Sequence, residues 1–165
     1  PGDLLLATDI HAGTAALATE QSWADAMSAT ALAQGLPLHF GPILGSDVIV
    51  ATAADKDRLG RQTGALAVDM ESHALAMAAK RAGLPFGALR AVADPVTRAI
   101  PDSAKHGVAP DGSVRPLNVI GAALRRPADF VDLIRVGQDS AKATKALRRS
   151  AGHLVPLLFR IMNID

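Results

Sequence analysis

Apolar and polar residues alternate along this chain in short blocks. Residues 4–10 form a mostly apolar run of strand length. Thr19 or Ser22 then stands where a cap would begin a helix through Trp23, Met27 and Leu32, and Gly35-Leu36-Pro37 would stop it. Residues 38–44 and 48–51 are apolar stretches set off by Gly41-Pro42 and Gly45-Ser46-Asp47, the pattern of strands broken by a turn. A polar helix over 55–63, a brief strand over 65–68 and a helix over Ser72–Ala82 follow, the last closed by Gly83-Leu84-Pro85, before another strand over 86–93. Strands alternating with helices predict an α/β fold: three α/β/α layers around a central mixed, mainly parallel sheet.

Beyond that point the pattern changes. Residues 99–116 are rich in Pro, Gly, Asp and Ser and have no periodicity, which predicts a long loop. Pro127 suits the first turn of a helix running to about Arg149. At about 100° per residue, Arg135, Lys142, Lys145 and Arg149 fall on one side, with Phe130, Leu133, Gly137, Ala141 and Leu147 towards the other. Gly152 and Pro156 predict that residues 154–161 form a separate apolar segment. Without repeats or an interdomain linker, residues 1–165 read as one domain.

Composition narrows the chemistry. Aromatic residues are only 3% of the chain while 49% is hydrophobic, so the core must be built from Ala, Leu, Val and Ile. With no cysteine, disulfides, thiolate metal sites and thiol catalysis are excluded. The histidines are too scattered for a metal site, and none is expected. No apolar run reaches the roughly 18 residues of a membrane span, and the absence of cysteine makes the cytoplasm the expected location. The net charge of +1 and the scarcity of aromatics argue against nucleic acid.

The most informative stretch is Val68-Asp69-Met70-Glu71-Ser72-His73-Ala74, with Arg90-Ala91-Val92-Ala93-Asp94 one helix later. Two strands connected by one helix are expected to place their C-terminal ends at the same edge of a parallel sheet, where open α/β folds bind ligands. Glu71 and Asp94 would then face one crevice, one carboxylate accepting hydrogen bonds from hydroxyls and the other passing a proton. Taken alone, Glu71 reads first as a helix-dipole or capping group, and Asp94 before Pro95 is equally an ordinary turn residue; the matched neighbours reverse those odds. His73 reads as a supporting residue, Met70 alone as core packing, and Arg98 as a solvated loop cation.

These two segments resemble the paired signature of the purine nucleoside phosphorylase, uridine phosphorylase and methylthioadenosine nucleosidase superfamily. Pro1-Gly2-Asp3 resembles that family's Pro-Gly-Asp at the head of a middle strand, and Gly45-Ser46-Asp47 its Ser-Gly-Asp turn with two residues exchanged. The segment from Asp94-Pro95 through Arg125-Arg126-Pro127 resembles the hopanoid-associated phosphorylase branch. The resemblance implies that Glu71 grips the ribose 2′- and 3′-hydroxyls and Met70 packs on the sugar. It further implies that Asp94 assists the departing purine at N7, with a raised pKa helping it hold the proton, and that the backbone at Val48, Ile49 and Val50 lines the base pocket. No cofactor is implied beyond inorganic phosphate as co-substrate, and a homo-oligomer is expected.

The family's phosphate-binding section precedes Pro-Gly-Asp, so the chain reads as the C-terminal portion, with N-terminal strands missing. The activity implied is phosphorolysis of a purine nucleoside, with an adenosylated hopanoid lipid as substrate in that branch. A hydrolytic nucleosidase of the methylthioadenosine/adenosylhomocysteine type and a non-catalytic nucleoside-binding protein are the alternatives. Residues 125–160 carry eight Arg or Lys against three Asp, so the basic helix face is also a candidate for peripheral membrane contact, although a solvated face accounts for it more simply.

Overall fold

The computed structural model describes residues 1–101 and 129–161. A hairpin opens the fold: β1 (Leu4–Ala12) turns at Gly13, whose φ of +61° suits glycine, into β2 (Ala15–Ala18). The elements α1 (Gln21–Ala33), β3 (Leu38–Gly45), α2 (Ala53–Thr63), β4 (Ala67–Asp69), α3 (Ser72–Ala82), β5 (Leu89–Ala91) and the long α4 (Asp129–Ile161) follow. β1, β3 and β4 are neighbouring parallel strands. β2 and β5 both pair antiparallel with the other edge of β1, β2 along residues 9–12 and β5 along 4–6. The expected α/β architecture with a mixed sheet and flanking helices is therefore present.

β1 explains how both sheet faces are covered. Leu5 and Ala7 point to one face, where Ile43 and Ala76 of α3 complete a buried cluster, while Leu6 points to the other, against Met27 of α1 and Leu154 of α4. Strict alternation would send Ile10 to Leu6's side. A register irregularity between Ala7 and Ile10 shifts the parity, so Ile10, fully buried, joins Leu5 and Ala7.

Several elements differ from the expected ones, each for a local reason. β2 has an Ala-rich sequence of low strand propensity and forms because the Gly13 turn lays it along β1. The cap of α1 is Glu20, whose carboxylate accepts from Ser22, while the Thr19 hydroxyl donates to Ala7 O and Thr8 O. Residues 48–51 are loop rather than strand. The Ser46 hydroxyl accepts from Val48 N (3.2 Å) and donates to Val48 O (2.7 Å), closing a turn that exposes Val48 and Ile49.

α4 runs unbroken through Gly152 and Pro156. The buried Leu154, with Leu157 behind it, anchors that stretch against Leu6 and Met27, and tertiary packing overrides the lost backbone donor. Its buried side is Asp139, Ala143, Ser150 and Leu154, so Gly137, Ala141 and Leu147, expected to face inward, are exposed. Small residues let α4 approach α1 and β5 closely, leaving Leu147 at the margin. Arg135, Lys142, Lys145 and Arg149 are exposed as expected. Most of the predicted 99–116 loop, Arg125-Arg126-Pro127 and the side chain of Phe130 lie outside the described residues. Among the described residues no helix is long and apolar enough to cross a membrane.

Candidate functional site

Contrary to expectation, Glu71 and Asp94 do not follow two parallel strands. β5 is antiparallel to β1, and so to β3 and β4. Past β5, Val92 exchanges backbone hydrogen bonds with Gly2 and Asp3 at the start of β1, whereas Glu71 follows the far end of β4. In a flat sheet β4 and β5 would lie three strand spacings apart, about 14 Å. Arg90 Nη2 of β5 nevertheless stands 2.6 Å from Asp69 Oδ2 of β4, so the sheet curls until its two edges approach. Between them lies a cavity of about 610 Å³ whose lining includes Asp69, Arg90, Asp94 and Lys56 among apolar residues of β4, α2 and the chain after β5.

The β4–α3 corner is built around Asp69. Its Oδ1 accepts from Glu71 N (3.2 Å) and Ser72 N (2.9 Å), and its Oδ2 from the Ser72 hydroxyl and Arg90. Asp69 thereby satisfies the first amides of α3, so Glu71 makes no capping bond with its own carboxylate. Glu71 instead accepts from Arg90 Nη2 at 3.3 Å, with its side chain 64% exposed and acceptor sites to spare. Arg90 also reaches the buried Ser72 Oγ at 3.1 Å. Arg90 thus fixes both the capping carboxylate and the free one.

Asp94 forms the opposite corner. Lys56 Nζ donates to its Oδ2 and to the Arg98 carbonyl (2.9 Å), while the Arg98 guanidinium pairs with the buried Asp139 of α4. Arg98 is therefore an anchor for the turn after β5 and not the solvated cation expected. His73 Nε2 meets Asp47 Oδ1 at 3.0 Å, and its ring packs where a Cβ on Gly45 would have to stand. That packing holds the loop after β3 beside the start of α3, in the supporting role expected of His73.

Of the expected site residues, Asp94 lines the cavity, and Glu71 joins it through Arg90. Met70, 44% exposed, lies beside Glu71 but outside the lining. Val48, Ile49 and Val50 also lie outside it; Ser46 N donates to Asp69 O (2.8 Å), which places their loop at the Glu71 end of the sheet. Asp69, Arg90 and Lys56 went unassigned in the sequence. The first two stand inside the paired signature, which was the available signal, whereas nothing local marks Lys56 as Asp94's partner.

The profile of the Phosphorylase superfamily matches residues 1–134. The chain belongs to that superfamily. Among solved structures it resembles the 5′-methylthioadenosine/S-adenosylhomocysteine nucleosidase of Helicobacter pylori with butyl-thio-DADMe-Immucillin-A, at 18% identity over 92% of this chain and 60% of that one (TM-score 0.57). It resembles native futalosine hydrolase of the same organism at 17% identity over 92% and 60% (TM-score 0.57). A similar match is the S-adenosylhomocysteine nucleosidase of Streptococcus pyogenes, at 18% over 84% and 60% (TM-score 0.53). The superfamily chain described here thus spans about 60% of the length of each. No curated protein matches it.

Proposed function

We propose that this protein cleaves the N-glycosidic bond of a purine nucleoside. The observation that carries the reading is one cavity with Asp94 in its wall and Glu71 held at its margin by Arg90, in a chain of the Phosphorylase superfamily. Glu71 accepts hydrogen bonds from the ribose 2′- and 3′-hydroxyls and Met70 packs against the sugar. The backbone at Val48, Ile49 and Val50 borders the base. Asp94 hands a proton to the base nitrogen as the glycosidic electron pair leaves with it. The nucleophile is inorganic phosphate, and the specific substrate is an adenosylated hopanoid lipid, on the likeness of residues 94–127 to that branch.

Incubation of the full-length protein with purine nucleosides, with and without phosphate, tests the reading. Free base with a sugar 1-phosphate, dependent on phosphate, is the expected product. Free ribose without phosphate dependence would replace phosphorolysis by hydrolysis. Tight nucleoside binding without base release would make the protein a binder and end the enzymatic reading.

A further inference from the structure

Lys56 occupies a costly place. It lies in the first turn of α2, where a cation opposes the helix dipole, and its side chain is only 7% exposed. Lysine is almost never buried without a partner. Its partners are Asp94 Oδ2 and the carbonyl of Arg98, in the turn that Asp94 opens. That turn is pinned again where Arg98 meets Asp139, whose other oxygen takes Lys142 Nζ at 3.3 Å. The other cations near the cavity are engaged elsewhere: Arg90 with Asp69 and Glu71, and Arg61 with Asp57. Among the described residues, Lys56 is the cation assigned to Asp94.

If shape alone were needed, an apolar side chain would fill the space without the desolvation cost of an ammonium. A charge at this point has a chemical use. When Asp94 gives its proton to the departing base, it becomes a carboxylate next to a base that has just taken up the glycosidic electron pair. An ammonium already in contact stabilises that carboxylate without any rearrangement at the moment of bond cleavage. It also fixes Oδ2, so that the proton to be transferred is carried on Oδ1.

We propose that Lys56 is the positioning residue for Asp94, orienting its carboxyl group and countering the charge that Asp94 acquires as the leaving base is protonated. This rests on the nucleosidic reading above. Its signature is a defect confined to substrates whose leaving group needs a proton. The test compares Lys56→Met and Lys56→Arg with the parent in the full-length protein on two substrates: a purine nucleoside, and 4-nitrophenyl β-riboside, whose phenolate departs unprotonated. Lys56→Met is expected to lower kcat on the purine nucleoside about 30- to 100-fold with KM changed by less than about threefold, and to leave the nitrophenyl riboside within about threefold of the parent. Lys56→Arg, which keeps the charge, should recover most of the loss.

The ratio of the two kcat values is independent of how much of a variant is folded, so a destabilised variant still answers. Equal losses on both substrates would reduce Lys56 to a structural residue and overturn the proposal while the nucleosidic reading stands, as would no loss on either. A parent protein that cleaves neither substrate overturns both.

Discussion

The two acidic corners of the cavity are each held by one cation, but they are built from different parts of the chain. At the Glu71 corner, Asp69, Glu71 and Ser72 are nearly consecutive, and only Arg90 comes from elsewhere. At the Asp94 corner, Lys56, Asp94, Arg98 and Asp139 come from α2, the turn after β5 and α4. The first is a helix N-terminus whose geometry local capping enforces. The second exists only once distant elements have packed. Local spacing is therefore enough to rebuild the Asp69 cap of the Glu71 corner, with Arg90 added by the curl of the sheet, whereas every contact of the Asp94 corner depends on how α2 and α4 sit against β5.

That contrast can be broken at either corner. The largest effect is expected from Asp94→Asn, which should lower kcat on a purine nucleoside by about 10²–10³-fold with a smaller change in nucleoside binding, since the variant removes the proposed acid and not the proposed sugar grip. Glu71→Gln should damage binding and turnover together. Steady-state kinetics alongside calorimetric binding separates them, and losses in binding alone for both variants would contradict these roles.

Next comes Arg90→Met, which removes the shared cation of Asp69 and Glu71. Unfolding stability should fall by about 2 kcal/mol, the usual worth of a charged hydrogen-bonded group, in urea denaturation. Nucleoside KM should rise about tenfold as Glu71 loses its tether. An unchanged KM would show that Glu71 needs no orienting partner.

Gly45→Ala should cost about 1–3 kcal/mol, because the new methyl group would stand where the His73 side chain packs. Adding His73→Gly, which removes the His73 Cβ that the new methyl group would meet first, should return part of that loss, and strict additivity of the two changes would place the strain elsewhere.

The smallest expected effect sharpens the Asp94 side. Thr52 caps the helix that carries Lys56, its hydroxyl accepting from Asp55 N at 3.0 Å, and Thr52→Ala should cost about 1 kcal/mol in thermal unfolding. The same hydroxyl, and then Arg58, hold the Asp55 carboxyl below its usual range. A lowered folded-state value means a stabilising contribution that is full at neutral pH and is lost as pH falls through the carboxylate range. Thr52→Ala should therefore flatten that part of the acid limb of stability.

Much of the fold was legible because it is written in local patterns. The apolar run of β1, the span Ser72–Ala82 ended by Gly83 at φ +67°, and the alternation of strand and helix all follow from propensity, capping and turn chemistry. The motif around Asp69 and Glu71 was legible for the same reason. Three things were not. Val48-Ile49-Val50 has the composition of a strand but no neighbour to pair with, and the Ser46 turn takes it instead. Gly152 and Pro156 read as helix breakers, yet burial of Leu154 carries α4 through them. β5 has no residue that reports its direction, since a strand's sequence is blind to whether its neighbour runs with or against it.

The amino-acid sequence by itself determined the element types, the aliphatic core and the two carboxylates worth watching, because each depends on neighbours within a few residues. Only the tertiary structure decided that β5 runs backwards, that the sheet curls until Arg90 meets Asp69, and that Lys56 stands on Asp94. These are contacts between segments far apart in the chain, selected by the packing of whole faces, and no short-range pattern encodes them.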